Sequence, residues 1–249
     1  MLPINIHVNR TASPFLPPIQ RLKRGMTDHS TVPYADLPDY SDEERIARAK
    51  AFYDAIKTRR TCRQFSDAPV PRAVIEQAIL AAGSAPNGAN HQPWHFAVIG
   101  SPEKKKAVRE AAEVEEKTFY ETKASDEWLE ALAPLGTDEV KAYLEIAPWL
   151  IVIFGQRRGG PNPGDNKQNY YVTESVGIAS GFLIAALHDA GLATLTHTPN
   201  PMKFLNQVCE RPANEKPMMI VVAGKPAPDA TVPSHALSKK PLDAIASWL

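Results

Sequence analysis

The chain has 249 residues, enough for one α/β domain with arms, and 43% of them are hydrophobic, enough for a sizeable core. Lys plus Arg and Asp plus Glu both total 28, so the formal charge is zero and the basic excess of a general nucleic-acid binder is missing. Two cysteines, Cys62 and Cys209, form neither a C-x-x-C pair nor a metal set, so no metal is expected; as small buried hydrophobes they fit a reducing, cytoplasmic setting.

No run reaches the ~18 apolar residues of a membrane span, and the first residues, MLPINIHVNRTASPFLPP, lack a basic stretch followed by an apolar one, so no membrane partner and no secretory signal are expected. Residues 1–40 are Pro-rich and aperiodic, an extended or disordered arm, with Met26 an alternative start. Ser41 and Glu44 form a capping box opening a helix whose Ile46, Ala49, Phe52 and Ile56 share one face. The turn Arg59-Arg-Thr-Cys-Arg63 follows. Pro71 begins a second helix, buried through Val74, Ile75, Ala78, Ile79 and Ala82.

Gly83–Pro93 reads as a loop, His95–Gly100 as a strand and Pro102–Lys123 as a charged amphipathic helix. Residues 124–137 carry no clear pattern, and 138–146 suit a short helix. The apolar run Trp149–Gly155 predicts a strand buried on both faces, and Gln156–Asn169 a polar loop. Tyr170–Ala190 predicts a long helix stopped by Gly191; being apolar around much of its girth, it belongs in the centre or at a subunit interface. Ala193–Thr196 and Met218–Gly224 read as strands, with a short helix at Pro201–Cys209 between them. The Pro-rich tail carries Ile245, Trp248 and Leu249, which suit wrapping over another surface.

Arg59, Arg60 and Arg63, with the Thr61 hydroxyl among them, could fork onto phosphate oxygens through charge-assisted hydrogen bonds. The cluster alone is explained as readily by a solvated basic helix end. No G-x-G-x-x-G or Walker loop is present, so a bound phosphate would not sit in a glycine-rich dinucleotide loop.

Four segments in order resemble the nitroreductase family of flavoproteins. Arg59-Arg-Thr-Cys-Arg-Gln-Phe65 resembles its R-R-S-x-R-x-F opening, and Ala82–Trp94 (AGSAPNGANHQPW) its A-P-S-G loop. Gly191–Pro199 (GLATLTHTP) is similar to its flavin-edge strand, and Lys239-Lys-Pro-Leu-Asp243 to its basic C-terminal segment. The resemblance implies an α+β fold, a mostly antiparallel central sheet flanked by helices in an intertwined homodimer. It implies a domain over 41–233 with a lid at about 112–146, a C-terminal extension at 234–249 wrapping the partner subunit, and FMN as cofactor at the dimer interface.

Carried over by motif, Arg59, Arg60, Thr61, Arg63 and Lys239 would bind FMN. Pro86, Asn87 and Gly88 would reach it from the other subunit, with Asn87 replacing the usual Ser. Thr196, His197 and Thr198 would form the isoalloxazine edge, the Thr198 hydroxyl serving catalysis near N5. His197 should point away from its neighbours on the strand and serve the structure.

A further resemblance, to the deiodinase branch, lies in the lid. Glu116 and Tyr120 are four residues apart and Lys141 follows on the next short helix, with Trp128 between. By spacing alone Glu116 and Tyr120 fit a solvated charged face; the aligned Lys141 turns the reading toward a halotyrosine clamp. Glu116 would pair with the ammonium and Lys141 with the carboxylate, Tyr120 adding a hydrogen bond and the backbone at Gly88 and Ala89 receiving the phenolate. The implied reaction is reductive dehalogenation: protonation at the halogen-bearing carbon, two electrons supplied by reduced FMN, loss of halide and rearomatisation. The electron donor would be NAD(P)H or a separate reductase. The alternatives are a general NAD(P)H nitro- or quinone reductase, a flavin-fragmenting enzyme, and a flavin-binding sensor without turnover.

Overall fold

In the computed structural model, residues 30–34 and 37–249 are described; most of the expected N-terminal arm, and Met26 with it, lies outside them. Helix α1 spans Asp42–Ile56, and its capping box is formed: Glu44 N donates to Ser41 Oγ (3.2 Å) and Ser41 N to Glu44 Oε2 (2.9 Å). Its apolar stripe, on one face as the spacing implies, is open within the chain. No α1 residue is buried, and Ile46 and Phe52 are 69% and 66% exposed.

Helix α2 (Arg72–Gly83) leads through the 84–92 loop to strand β1 (Trp94–Ile99) and helix α3 (Pro102–Thr118). The charged helix expected to reach Lys123 changes winding at Phe119–Lys123, a π-turn, before α4 (Asp126–Leu132) and the four-residue α5 (Tyr143–Ile146). Strand β2 (Trp149–Gln156) is followed by a small hairpin, β3 (Arg158–Gly159) with β4 (Lys167–Gln168), where sequence suggested only loop. Helix α6 (Val172–Asp189) ends one residue before Ala190 and Gly191, the latter at φ 77° as a helix stop requires. Strand β5 (Ala193–His197), helix α7 (Phe204–Val208) and strand β6 (Glu215–Gly224) complete the core.

The sheet order is β1-β2-β6-β5, antiparallel throughout. Alternation along β2 explains its two-sided burial. Leu150, Val152 and Phe154 pack with Val108, Leu144, Leu205 and Ile220, under α3, α5 and α7. Ile151 and Ile153 pack with Ile75, Val176, Leu183 and Leu187, under α2 and α6. Strand β6 begins three residues before Met218 because Pro217, which lacks an N–H, is accommodated where the β2 register shifts between Ile153 and Phe154. Helix α6 buries one face and leaves Ile178 and Phe182 open on another; Leu242, Ile245 and Trp248 of the tail are exposed as well.

Candidate active site

A cavity of about 610 Å³ opens where β5 ends, lined by Arg63, Glu116, Tyr120, Lys141, Thr196, His197 and Thr198 among others. Three separated segments meet there: the basic turn, the α3–α5 region and the last strand residues.

The basic turn is tied to the sheet edge. Cys62 N donates to Thr194 O (3.0 Å), and Thr61 bridges Thr194 in parallel. This anchoring swings Arg63 into the cavity. Arg59, Arg60 and Thr61 are not on its lining. Arg60 folds back, its Nη1 donating to Lys57 O and Arg59 O, while its Nε is buried and has no partner. A buried guanidinium N–H without an acceptor costs free energy that an incoming anion would recover. The donor set therefore fits the phosphate-bearing end of a flavin nucleotide.

The α3–α5 region forms the roof. Lys141 is 2% exposed, and its Nζ lies 3.2 Å from Glu116 Oε2, also donates to Asp138 O, and sits 5.7 Å from the Tyr120 ring centre. Glu116 and Lys141, expected to await two ligand charges, are thus bonded to each other. The Tyr120 hydroxyl donates to Thr137 O (3.2 Å), and burial pushes its pKa upward. Phe119 packs edge-on against both Tyr120 and Trp128, with centroids 5.4 Å apart in each pair.

The π-turn supports this arrangement, since the extra residue per turn brings Phe119 and Tyr120 inward together; such turns recur at functional sites. Sequence reasoning missed the brace behind Lys141. Arg109 bonds Glu113 and Glu145, both at 2.6 Å, and the other Glu113 oxygen accepts from Lys141 N (2.9 Å). The i, i+4 spacing of Arg109 and Glu113 was its only sequence signal.

On the floor, Thr196 and Thr198 are exposed and His197 between them is 6% exposed, as strand alternation requires. His197 nonetheless lines the cavity. Its Nδ1 lies 3.4 Å from the Tyr143 hydroxyl, and its buried Nε2 has no partner. Burial, reinforced by the Lys141 charge, pushes its pKa down to about 3, so the ring is neutral. Burial also raises the Tyr143 pKa, with Glu116 adding to the shift.

Pro86, Asn87, Gly88 and Ala89 do not line this cavity. Their loop feeds β1, the edge strand opposite β5. Asn87 is occupied within it, Nδ2 donating to Ala85 O (3.0 Å) and Oδ1 accepting from Gln92 N (2.8 Å). Ala89, Asn90 and Gln92 have φ of 53°, 55° and 50°, and a Cβ on Gly88 would come within 2.8 Å of Tyr170 O. The loop is a shaped, side-chain-braced element rather than slack chain. Lys239 is exposed and outside the cavity lining.

Residues 56–225 match the profile of the nitroreductase family. An iodotyrosine deiodinase from Haliscomenobacter hydrossis is 48% identical over 202 residues, covering 81% of this chain and 90% of that protein. The chain belongs to the nitroreductase family, in its iodotyrosine deiodinase branch. Human iodotyrosine deiodinase 1 is 42% identical over 207 residues, 83% of this chain and 71% of the human one. An oxidised iodotyrosine deiodinase bound to FMN and 3-iodo-L-tyrosine superposes with a TM-score of 0.62 at 29% identity, covering 71% of this chain and 90% of that one. The expected α+β architecture with an antiparallel sheet is therefore that of the family.

Proposed function

We propose that this protein is an FMN-dependent reductive dehalogenase of halotyrosines. The observation that carries the reading is the meeting of Glu116, Tyr120 and Lys141 over the same cavity that Arg63, Thr196 and Thr198 enter. An acid, a base and a phenol above a flavin-type floor suit a zwitterionic aromatic amino acid. The identity with iodotyrosine deiodinases over most of their length supports the same reading.

Bound and reduced, FMN would supply the electrons that replace a carbon–halogen bond by carbon–hydrogen. The chain's part is placement. Arg63, with Arg59, Arg60, Thr61 and Lys239 around the turn and tail, would hold the flavin's anionic and polar groups. Thr198, on the cavity lining, would offer the flavin a hydroxyl donor.

Glu116 exchanges its bond to Lys141 for the substrate ammonium, and Lys141 takes the carboxylate. The exchange trades one buried ion pair for two, so charge is never left unpaired. Phe119, Tyr120 and Trp128 close an aromatic roof that excludes water from the ring carbon.

Pro86–Ala89 fit this scheme when supplied by a second copy, with Ala89 and Gly88 offering backbone N–H groups to the phenolate. The open apolar faces of α1 and α6 and the exposed tail at 234–249 suit a homodimer in which the tail lies on the partner. The electron donor is NAD(P)H or a separate reductase. No described helix is long and apolar enough to cross a membrane, and a cytoplasmic location suits the two unpaired cysteines.

The test is a titration of the FMN-loaded protein with 3-iodotyrosine, followed by flavin fluorescence, and then dithionite-driven iodide release. Quenching at micromolar ligand with stoichiometric iodide is the expected result. Reduction of nitroaromatics or quinones by NAD(P)H without iodide release would replace the dehalogenase reading by a general reductase.

A further inference from the structure

A second cavity, of about 480 Å³, adjoins the active site and shares Asn200 and Met202 with it. It lies where the segment after β2, the start of β6 and the segment before α7 meet, and Arg157, Arg158, Lys203 and Lys216 line it. All four are exposed. The one carboxylate on its lining, Glu215, is already committed: Oε1 accepts from Gln156 (2.8 Å) and Arg211 (2.6 Å), and Oε2 from Arg211 (2.8 Å).

Among the described residues, Arg157, Lys203 and Lys216 make no salt bridge, and Arg158 bonds only the neutral Asn166. Four uncompensated positive charges thus ring the mouth beside the flavin site, in a chain whose formal charge is zero. Arg158 clasps the β3–β4 hairpin through Asn166, but the packing gives Arg157, Lys203 and Lys216 no such task, and exposed lysines and arginines add little to a fold.

We propose that this groove is the docking face for an acidic electron-carrier protein, one bearing a reduced flavin or iron–sulfur centre. The proposal rests on the dehalogenase reading. Replacing carbon–halogen by carbon–hydrogen takes up two electrons and one proton and releases one halide. Each turnover oxidises FMN, so two electrons must arrive from outside, from one two-electron carrier or two one-electron carriers, which are oxidised in exchange.

Carriers that must bind briefly and leave use small, charge-steered interfaces. An open basic face at the lip of the flavin cavity matches that need. A small dinucleotide is the poorer fit, since the cations are exposed rather than enclosing, and Gly159 and Gly160 beside Arg158 belong to the β3–β4 hairpin rather than to a helix N-terminus that would cradle a diphosphate.

The test uses the full FMN-loaded chain under anaerobic stopped flow, with bleaching of the flavin as readout. Reductants are flavodoxin hydroquinone, a reduced acidic [2Fe–2S] ferredoxin, NADPH and dithionite. For at least one carrier, the second-order rate should fall at least about tenfold between low and high salt. Lys203→Glu/Lys216→Glu should lower that rate at least tenfold and flatten its salt dependence, while dithionite bleaching and 3-iodotyrosine quenching stay unchanged.

Carrier rates that ignore salt, or that survive the double reversal, overturn the proposal. So does rapid reduction by NADPH alone whose KM rises in the variant, since the groove then serves a dinucleotide. Absence of dithionite-driven iodide release in the unmodified protein would instead sink the dehalogenase reading, and leave the docking result readable from bleaching.

Discussion

Lys141 and Glu116 illustrate how one buried pair can be both structural and receptive. With side chains 3% and 16% exposed and 3.2 Å apart, each neutralises the other in a place where a lone charge would be costly. Removing one partner strands the other. Lys141→Met should therefore weaken 3-iodotyrosine binding at least tenfold, about 1.4 kcal/mol, while FMN stays bound. It should also lower stability, because Glu116 is left unpaired. Glu116→Gln/Lys141→Met should recover part of that stability but none of the binding. Parallel thermal unfolding and fluorescence titration check both halves; a double variant less stable than either single one would refute the pairing argument.

His197 gives a pH prediction. Its folded pKa, near 3, lies below the ordinary 6.5. Between those values the unfolded chain binds a proton that the folded chain refuses. Stability is therefore complete above about pH 6.5 and declines as pH falls toward 3. Replacing the imidazole by a side chain that cannot titrate, His197→Leu, should flatten this part of the profile in urea unfolding at pH 7 and pH 5.

At the scale of elements, the roof over the cavity depends on α3 more than on the short helices α4 and α5. Glu113 on α3 accepts the Lys141 N–H, and Arg109 holds Glu113 in turn. Glu113→Ala should release the α5 approach and raise KM for halotyrosine several-fold, with FMN affinity and dithionite reduction of the flavin unchanged. Equal losses in FMN binding would mean that Glu113 supports the whole fold rather than the lid.

This brace shows where sequence stops being informative. The periodicity of α3 and the Glu116/Tyr120 spacing were legible because a helix repeats locally. The Glu113–Lys141 bond, spanning 28 residues, and the π-turn at Phe119–Lys123 were not, since neither leaves a local period. The same holds for β6: Lys216 and Pro217 fall outside the strand expected at Met218–Gly224, and only pairing with β2 makes them strand. The capping box at Ser41, the stop at Gly191 and the two-faced β2 were readable because each rests on backbone chemistry within a few residues.

At the scale of the whole molecule, two parts expected to share one site lie apart in the single chain. Its cavity takes residues from the basic turn, the α3–α5 region and β5, yet the shaped loop at Asn87–Ala89 leads into the strand at the opposite sheet edge. Meanwhile Ile46, Phe52, Ile178, Phe182, Ile245 and Trp248 stay exposed at 41–89%, more large apolar surface than a solitary domain usually leaves to water. A two-fold pairing through α1 and α6 would cover that surface and carry each Asn87 loop toward the other copy's cavity. Oligomeric state and cofactor retention should then be linked. Ile178→Asp/Phe182→Asp places charges on the exposed face of α6, away from the buried Val176, Leu183 and Leu187. The variant should run as a monomer by light scattering, keep its far-ultraviolet spectrum, and lose FMN on gel filtration. A monomer that retains flavin and releases iodide at the unmodified rate would show that one chain suffices, and that the Asn87 loop has another task.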